Sequence, residues 1–489
     1  MQLRPLSAIP LLIALQAGAA ERPPSLDDPL AAYGNVPDTP GRAAVEAGWS
    51  DPCRKLHRAR RTWSLLDIVD QALCHNPRTR QAWANARFQA AQLGVAEAAY
   101  LPTINLTTSV SETQNTSGGN IATPVISSGL LQGRNQAQTR IMPSLTLNYL
   151  LFDFGGRAAR RENARLVLEA AQWSHAAALQ SVLLATIQAY YQLFAARSAV
   201  AAAEAAERSA EEALKAATFR YQVGAAALAD KLQAQTAYAQ ARLNRQQAVG
   251  TAQVALGTLA NAMGLAPSDD LEIEPPPLST PDLALEQGVQ ALIEEAKALR
   301  PDLAAAEAQV KAAEANVQSV KAAGLPTLSM IGNYTYLESS VFNSVQSWVV
   351  GVQLNVPLFT GFANTYQIRG AEEQVAIQRA NRDQLDQSVA LDVWRAYFNL
   401  NTARDALRSS EDLLASATQN EQAALGRYKA GAGSILEVLT AQANLANARF
   451  QQVQAQFNWH IGKAQLAQAI GRLDLSQVEA SARAGKAVN

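Results

Sequence analysis

Two periodicities alternate along this chain. From Ser64 the apolar positions of SLLDIVDQALCHNP recur at helical spacing, and Asn76-Pro77 opens a second helix, with Asn76 as cap and Pro77 in the first turn. That helix runs through RTRQAWANARFQAAQLGVAEAAY and stops before Pro102, whose ring disfavours helix at Leu101. The period then drops to two. Leu106, Thr108 and Val110 share one face; Asn105, Thr107 and Ser109 share the other. After a long polar stretch the alternation returns in PSLTLNYLLFDF, with Leu145, Leu147, Tyr149 and Leu151 opposite Ser144, Thr146 and Asn148. Gly155-Gly156 end that strand. From 157 to 220 there is neither proline nor glycine. At ~1.5 Å per residue this predicts a helix of roughly 95 Å, which needs packing partners along its whole length. It ends at RYQVG, where Gly224 suits a left-handed cap, and a return helix spans about 228–263.

The second half replays the first. Asn76-Pro77 meets Arg300-Pro301, and Leu101-Pro102-Thr103 meets Leu325-Pro326-Thr327, displaced by 224 (326 − 102). Strands follow at LSMIGNYTY and SWVVGVQLNVPLF. LFDFGG at Leu151 then meets LFTGFA at Leu358, displaced by 207 (358 − 151), because the second inter-strand loop is shorter. The displacement of 207 holds from there on. AYYQLFAAR aligns with AYFNLNTAR, RYQVG with RYKAG, and Met263-Gly264 with Ile470-Gly471. An internal duplication explains this order. It divides the chain into a first repeat (64–264), with strands about 103–112 and 141–152 and a helix tip near 220–226, and a second repeat (288–471), with strands about 327–337 and 347–358 and a tip near 427–433. A Pro-rich linker (265–287) joins them and a loose tail (472–489) follows. Ahead of them, 1–20 reads as a secretory signal, with Arg4 before a short apolar run and small residues at its end, and 21–63 as an extended segment.

Composition supports long helices over a bulky core. The hydrophobic share is 48%, much of it alanine, with only 6% aromatics and 17% charged residues. The net charge of −1 gives no electrostatic basis for binding nucleic acid. Cys53 and Cys74, in an exported chain, read as a disulfide closing a loop of about twenty residues and contributing about 3 kcal/mol; the alternative is two free thiols. The four histidines are scattered, and no metal-ligand spacing, phosphate loop or nucleophile elbow occurs, so neither a cofactor nor an enzymatic activity is expected.

Each repeat therefore supplies two strands of about ten residues, apolar on one face, the length that crosses a bilayer as a tilted strand. Tyr149, Tyr334, Tyr336 and Trp348 fall at interface depths. The alternative is a small soluble sheet capping a helical bundle. Four strands close no barrel, and open edges in lipid cost several kcal/mol for each unpaired backbone group. Copies must then share strands. Three give twelve and a wide lumen, whereas two give a barrel filled by side chains.

The twin LPT joints, the LFDFGG and LFTGF joints and the RYQVG and RYKAG tips together resemble the TolC family of trimeric outer-membrane channel proteins, over about 64–471. The block containing Cys53, Cys74 and QAWANARFQAAQLGVAEAAYLPT is most similar to the type I secretion branch, which exports adenylate cyclase–haemolysin toxins. The resemblance implies a mainly α fold with a membrane β-portion. Four strands per chain build a twelve-stranded β-barrel in the outer membrane of a Gram-negative bacterium, continued by a twelve-helix α-barrel through the periplasm. It implies a homotrimer working with a periplasmic adaptor and an inner-membrane ABC transporter or other pump, in contact with outer-membrane lipid and an exported substrate. Carried over by residue, the adaptor-docking tips are Arg220, Tyr221, Val223 and Gly224, and Arg427, Tyr428, Ala430 and Gly431. Glu437 and Thr440 fall at the periplasmic entrance, Thr440 where a second acid is expected. Asp230 and Tyr428 match a closed-state tip contact, while an arginine expected near Gly433 is absent. Two rival readings share the sequence: the same architecture serving small-molecule efflux, and a periplasmic coiled-coil adaptor without membrane strands.

Overall fold

The computed structural model describes residues 28–42, 53, 62–115, 136–268, 271–276, 288–340 and 343–473. The secretory signal, most of the 21–63 segment, part of the linker and nearly all of the tail lie outside the described residues. In chain order the elements are β1 (Thr62–Trp63), α1 (Leu65–His75), α2 (Pro77–Ala98), β2 (Thr103–Asn115), β3 (Gln136–Phe152), α3 (Gly156–Gln222), α4 (Leu228–Ala262), β4 (Glu272–Ile273), α5 (Val289–Leu299), α6 (Pro301–Ala323), β5 (Thr327–Ser339), β6 (Val345–Asn355), α7 (Ala363–Lys429) and α8 (Ile435–Ile470). The chain forms two compact units. One holds β2, β3, β5 and β6 within Ala90–Arg161 and Ser319–Asn364, and the other holds most of the helical chain with β1 and β4.

The first unit is built on a four-stranded antiparallel sheet in the order β2-β3-β5-β6. Register fixes its faces. Leu106 pairs with Leu145, Leu145 with Tyr334 and Tyr334 with Trp348, so these side chains share one face. The opposite face carries Asn105, Thr146, Asn333 and Val349, polar but for its last member. The apolar face is bare: Leu106 is 72% exposed, Trp348 75% and Val352 64%. A sheet that leaves an apolar face uncovered differs from that of a soluble domain, which packs its apolar face on a core, and has what a lipid-facing wall requires. β2 and β6 are its edges. Both hairpins, β2–β3 and β5–β6, run past the apolar band. β2 continues through Glu112 to Asn115 and β3 begins at Gln136, because backbone pairing does not require apolar side chains. β6 ends at Asn355, short of the 358 expected, where Pro357 offers no N–H to a ladder.

Each strand-to-helix joint holds two consecutive left-handed residues, Phe154 (φ 51°) and Gly155 (φ 87°) in the first repeat, Gly361 (φ 61°) and Phe362 (φ 65°) in the second. At the first joint Asp153 and Arg157 are both buried. Asp153 Oδ2 accepts from the Arg157 backbone N–H at 2.6 Å, and the guanidinium donates to the carbonyls of Leu150 (2.7 Å) and Leu151 (3.1 Å). Those carbonyls sit where the β3–β5 register slips between Leu150 and Phe152. Arg157 thus satisfies acceptors that the bulge takes out of the ladder. Tyr100 lies 5.0 Å under its guanidinium.

In the second unit α3 and α7 each run 67 residues. α1 starts with a capping box, in which Ser64 Oγ accepts from the Asp67 N–H and the Asp67 carboxylate accepts from the Ser64 N–H. Asn76 accepts from the Arg78 N–H, as a cap of α2 should, and its amide also donates to Ala262 O (2.9 Å). Arg300, its repeat partner, donates to Ala469 O in the same way, and 469 − 262 is again 207. The core is aliphatic and alanine-rich. Val69 and Leu73 of α1 pack on Leu179 and Leu183 of α3. Val389, Val393 and Leu400 of α7 pack with Trp459 and Leu466 of α8. A disulfide joins Cys53 to Cys74, 21 residues apart.

Candidate functional site: the paired helix tips

Each hairpin turns through the same few residues. At the first tip Gly224 takes φ +74°, and the Ala225 N–H reaches back to Arg220 O at 2.8 Å. At the second, Gly431 takes φ +76°, and the Ala432 N–H reaches Arg427 O at 2.9 Å. This return hydrogen bond to a carbonyl of the last turn needs a left-handed residue, which glycine supplies without a Cβ penalty. The hairpins differ at the next helix start. Ser434 caps α8 by accepting from the Glu437 N–H (3.2 Å), whereas Ala227 leaves α4 without a side-chain cap.

The two tips pack together on small side chains. Ala213 and Ala217 of α3 and Ala234 of α4 meet Ala424 and Tyr428 of α7 and Ile435, Val438 and Ala441 of α8. Arg220 crosses this contact. Its guanidinium lies 4.6 Å from the Tyr428 ring and donates to Tyr428 O at 3.0 Å. Tyr428 is thereby buried, and its hydroxyl finds no hydrogen-bond partner among the described residues. The chain does not bring Asp230 to Tyr428. Within the chain the group that meets the Tyr428 ring is Arg220. Tyr221 and Val223 stand exposed, and Lys231 sits 5.5 Å over the Tyr221 ring. Ala430 and Gly431 are also exposed.

Glu437 lies in the first turn of α8 with Thr440 one turn on, both exposed. Its carboxylate pairs with Arg427 at 3.1 Å, a contact the sequence reading missed. Both side chains are about half exposed, which makes the pair a surface interaction of about 0–1 kcal/mol. With the arginine beside it, the pair presents no net charge at this position. The Ser434-x-x-Glu437 spacing that orients Glu437 was readable as a helix start. The arginine was not, since it joins the glutamate only across the turn. Among the described residues no cluster of His, Cys, Asp and Glu suited to a metal ion occurs, and no helix is long and apolar enough to cross a membrane.

A bare apolar sheet with open edges and two duplicated hairpins are the features of a channel subunit. The sequence model of the family described as Outer membrane efflux protein matches residues 68–265 and 292–472. The chain belongs to the TolC family of outer-membrane channels. It is 31% identical over 421 residues to Protein CyaE of Bordetella pertussis, covering 84% of each chain. It is 25% identical over 436 residues to Outer membrane protein TolC of Vibrio cholerae, covering 86% of this chain and 94% of that one. Its fold matches the Campylobacter jejuni CmeC outer membrane channel with a TM-score of 0.73 at 20% identity, covering 90% of this chain and 96% of that one. The fold class is that of the TolC family, membrane β-strands joined to an α-helical tunnel, and the chain resides in the outer membrane of a Gram-negative bacterium with a large periplasmic part. The reading as a soluble adaptor without membrane strands is thereby overturned. The family is one of passive channels.

Proposed function

We propose that this TolC-family channel serves a type I secretion system, as the passive outer-membrane conduit through which an inner-membrane ABC transporter and a periplasmic adaptor export a protein such as an RTX-type toxin. The observation that carries this reading is the 31% identity with Protein CyaE, which goes with the resemblance of the N-terminal block to the secretion branch. The toluene efflux pump outer membrane protein TtgF of Pseudomonas putida reaches 26% over 471 residues and supports the second reading, small-molecule efflux.

The channel is a homotrimer in this proposal. β2 and β6 leave two rows of unpaired backbone groups beside an apolar face, and lipid does not satisfy them. Because the four strands alternate in direction, β6 of one copy meets β2 of the next antiparallel, and three copies close a twelve-stranded wall. The exposed tip residues Tyr221, Val223, Gly224, Ala430 and Gly431, with Arg220, Arg427 and Tyr428 behind them, form the adaptor-docking surface. Glu437 and Thr440 line the periplasmic entrance. Asp230 and Tyr428 form the closed-state tip contact, Asp230 taking the Tyr428 hydroxyl that has no partner within the chain.

Complementation decides between the readings. A host lacking its own outer-membrane component, but supplied with an RTX-type protein, its transporter and its adaptor, should release that protein into the medium when this chain is expressed. Restored drug or dye resistance without protein release would transfer the chain to efflux. At the entrance, Glu437→Ala should weaken block by multivalent cations in planar bilayers while leaving Arg427 as a net positive charge. Unchanged block would remove Glu437 from the entrance.

A further inference from the structure

The apolar band of the sheet does not stop where β6 stops. Val350, Val352 and Leu354 alternate on its bare face, and Val356 and Leu358 continue the alternation past Asn355. Phe359 and Phe362 follow, edge to face at 5.5 Å and both exposed. Phe362 holds a left-handed backbone (φ 65°), which strains any residue with a Cβ, and its counterpart in the first repeat is Gly155. An exposed ring gains little from packing within the chain. An apolar surface outside the chain is what offsets that strain.

α7 begins at this joint, and its first two turns carry a cation. Tyr366 is exposed, and the Arg369 guanidinium lies 5.8 Å from the centroid of its ring. Arg369 is itself exposed and pairs with no carboxylate among the described residues. Side chains of a helix lean toward its N-terminus, which for α7 is the end next to β6. From Phe362 to Arg369 is seven residues (369 − 362), roughly 10 Å of axis, and the guanidinium reaches back from there over Tyr366. Lipid head groups occupy that range, a layer roughly 5–8 Å deep on each side of the hydrocarbon. The first repeat has Ala159 and Glu162 at the matching positions, and Glu162 accepts from Arg165 at 2.8 Å.

α3, which has a neighbour on each side within the chain, shows which way position 369 points. Arg157 and Arg161 meet Tyr100 and Glu97, while Gly156 and Asn163 meet Ala322 and Ala312. At about 100° per residue these four positions span an arc of about 160°, and Glu162 lies opposite its middle. In a wall that curves round a lumen, neighbours crowd the inner side of each helix. Glu162, and with it Arg369, therefore faces outward. The curvature rests on the homotrimeric barrel proposed above.

We propose that the start of α7 binds the phosphate of a phospholipid in the periplasmic leaflet of the outer membrane. Arg369 meets the phosphate diester, Tyr366 holds the guanidinium at that level, and Phe359 and Phe362 rest against the first carbons of the acyl chains. The occupant is a lipid because the cation continues an apolar stripe that a bilayer covers, and a free anion uses none of that stripe. Each chain carries one such site, in its second repeat.

The test uses the full-length protein in detergent, stripped of lipid and then mixed with phosphatidylglycerol, with native mass measurement counting the lipids retained per trimer. Arg369→Gln should retain about fivefold less than the parent protein, and Arg369→Lys should keep most of the lipid, because a point cation still meets a phosphate. Arg379→Gln, on the same helix but paired with Glu314, should match the parent. Inorganic phosphate at millimolar concentration should not displace the lipid. If Arg369→Gln assembles poorly, Tyr366→Leu reads the same site, with a loss of about twofold. Trimers of either variant that retain phosphatidylglycerol like the parent, or lipid displaced by inorganic phosphate, overturn the site and leave the trimer standing. A parent protein measured as single chains overturns the homotrimer, and the loss on Arg369→Gln is then read per chain.

Discussion

At the first strand-to-helix joint a buried arginine and a buried aspartate hold the turn; at the second, positions 364 and 360 carry asparagine and threonine instead. The backbones match, down to the two left-handed residues and the N–H that closes the turn, Gly156 to Asp153 O and Ala363 to Thr360 O. The side chains have been exchanged as sets. Where Tyr100 lies under Arg157, the second repeat has Gly324, and a Cβ there would stand 2.2 Å from the amide of Asn364. A large ring with a long cation in one joint becomes no side chain with a short amide in the other. Duplicated sequence thus preserves the path of the backbone and lets the means of holding it diverge. The backbone path is set by sterics common to both copies, and the lock has only to satisfy whatever carbonyls its own joint leaves open.

The largest effect should come from Arg157→Ala. It keeps the backbone N–H bond to Asp153 but leaves the Leu150 and Leu151 carbonyls without their donor and takes a cation from beside the buried carboxylate, and should lower stability by about 2–4 kcal/mol, read as earlier urea unfolding of the full-length protein in detergent. Asn364→Ala at the matching site should cost less than about 1 kcal/mol. Equal losses at the two positions would break the contrast between a charged joint and a neutral one.

Gly324→Ala sharpens the comparison from the other side. It should cost about 1–3 kcal/mol by crowding, and most of this should return in the double variant Gly324→Ala with Asn364→Ala. No recovery would mean that the glycine is kept for its backbone, and not to make room for the amide.

A smaller effect separates the repeats along α4 and α8. His460, stacked on Tyr191 and edge-on to Trp459, has Gln253 as its counterpart. Burial, with Lys463 adding to it, pushes the imidazole down to about 4 from an ordinary 6.5. The folded state therefore holds a neutral ring that the unfolded chain protonates first. Its contribution is complete above pH 6.5 and is lost as pH falls toward 4, at no more than about 1.4 kcal/mol per pH unit. His460→Gln should flatten the fall in stability over that window. A profile parallel to that of the parent protein would show that the histidine is not held neutral.

Much of the molecule was legible in the chain. The glycine-free run from 157 to 220, the caps at Asn76 and Gly224, and the change of period at Pro102 and Pro326 are local signals, and the helices and strands begin and end close to them. The strand ends were less legible, because pairing continues beyond the apolar band that marks a strand in sequence. At the tips the glycines and the Ser434 spacing could be read, but not the Arg427–Glu437 pair, nor the choice of Arg220 over Asp230 as the group that meets Tyr428.

What the sequence by itself determined is the repeated order of elements and the one-sided apolar pattern of the strands, since both follow from periods of two and of 3.6 and from where proline and glycine interrupt them. Only the tertiary structure decided which charges are shared and in what register α3 meets α8. The Arg427–Glu437 pair closes only across the hairpin turn, and Arg220–Tyr428 and the α3–α8 contacts join residues more than two hundred apart in the chain, so no local rule of backbone geometry places them.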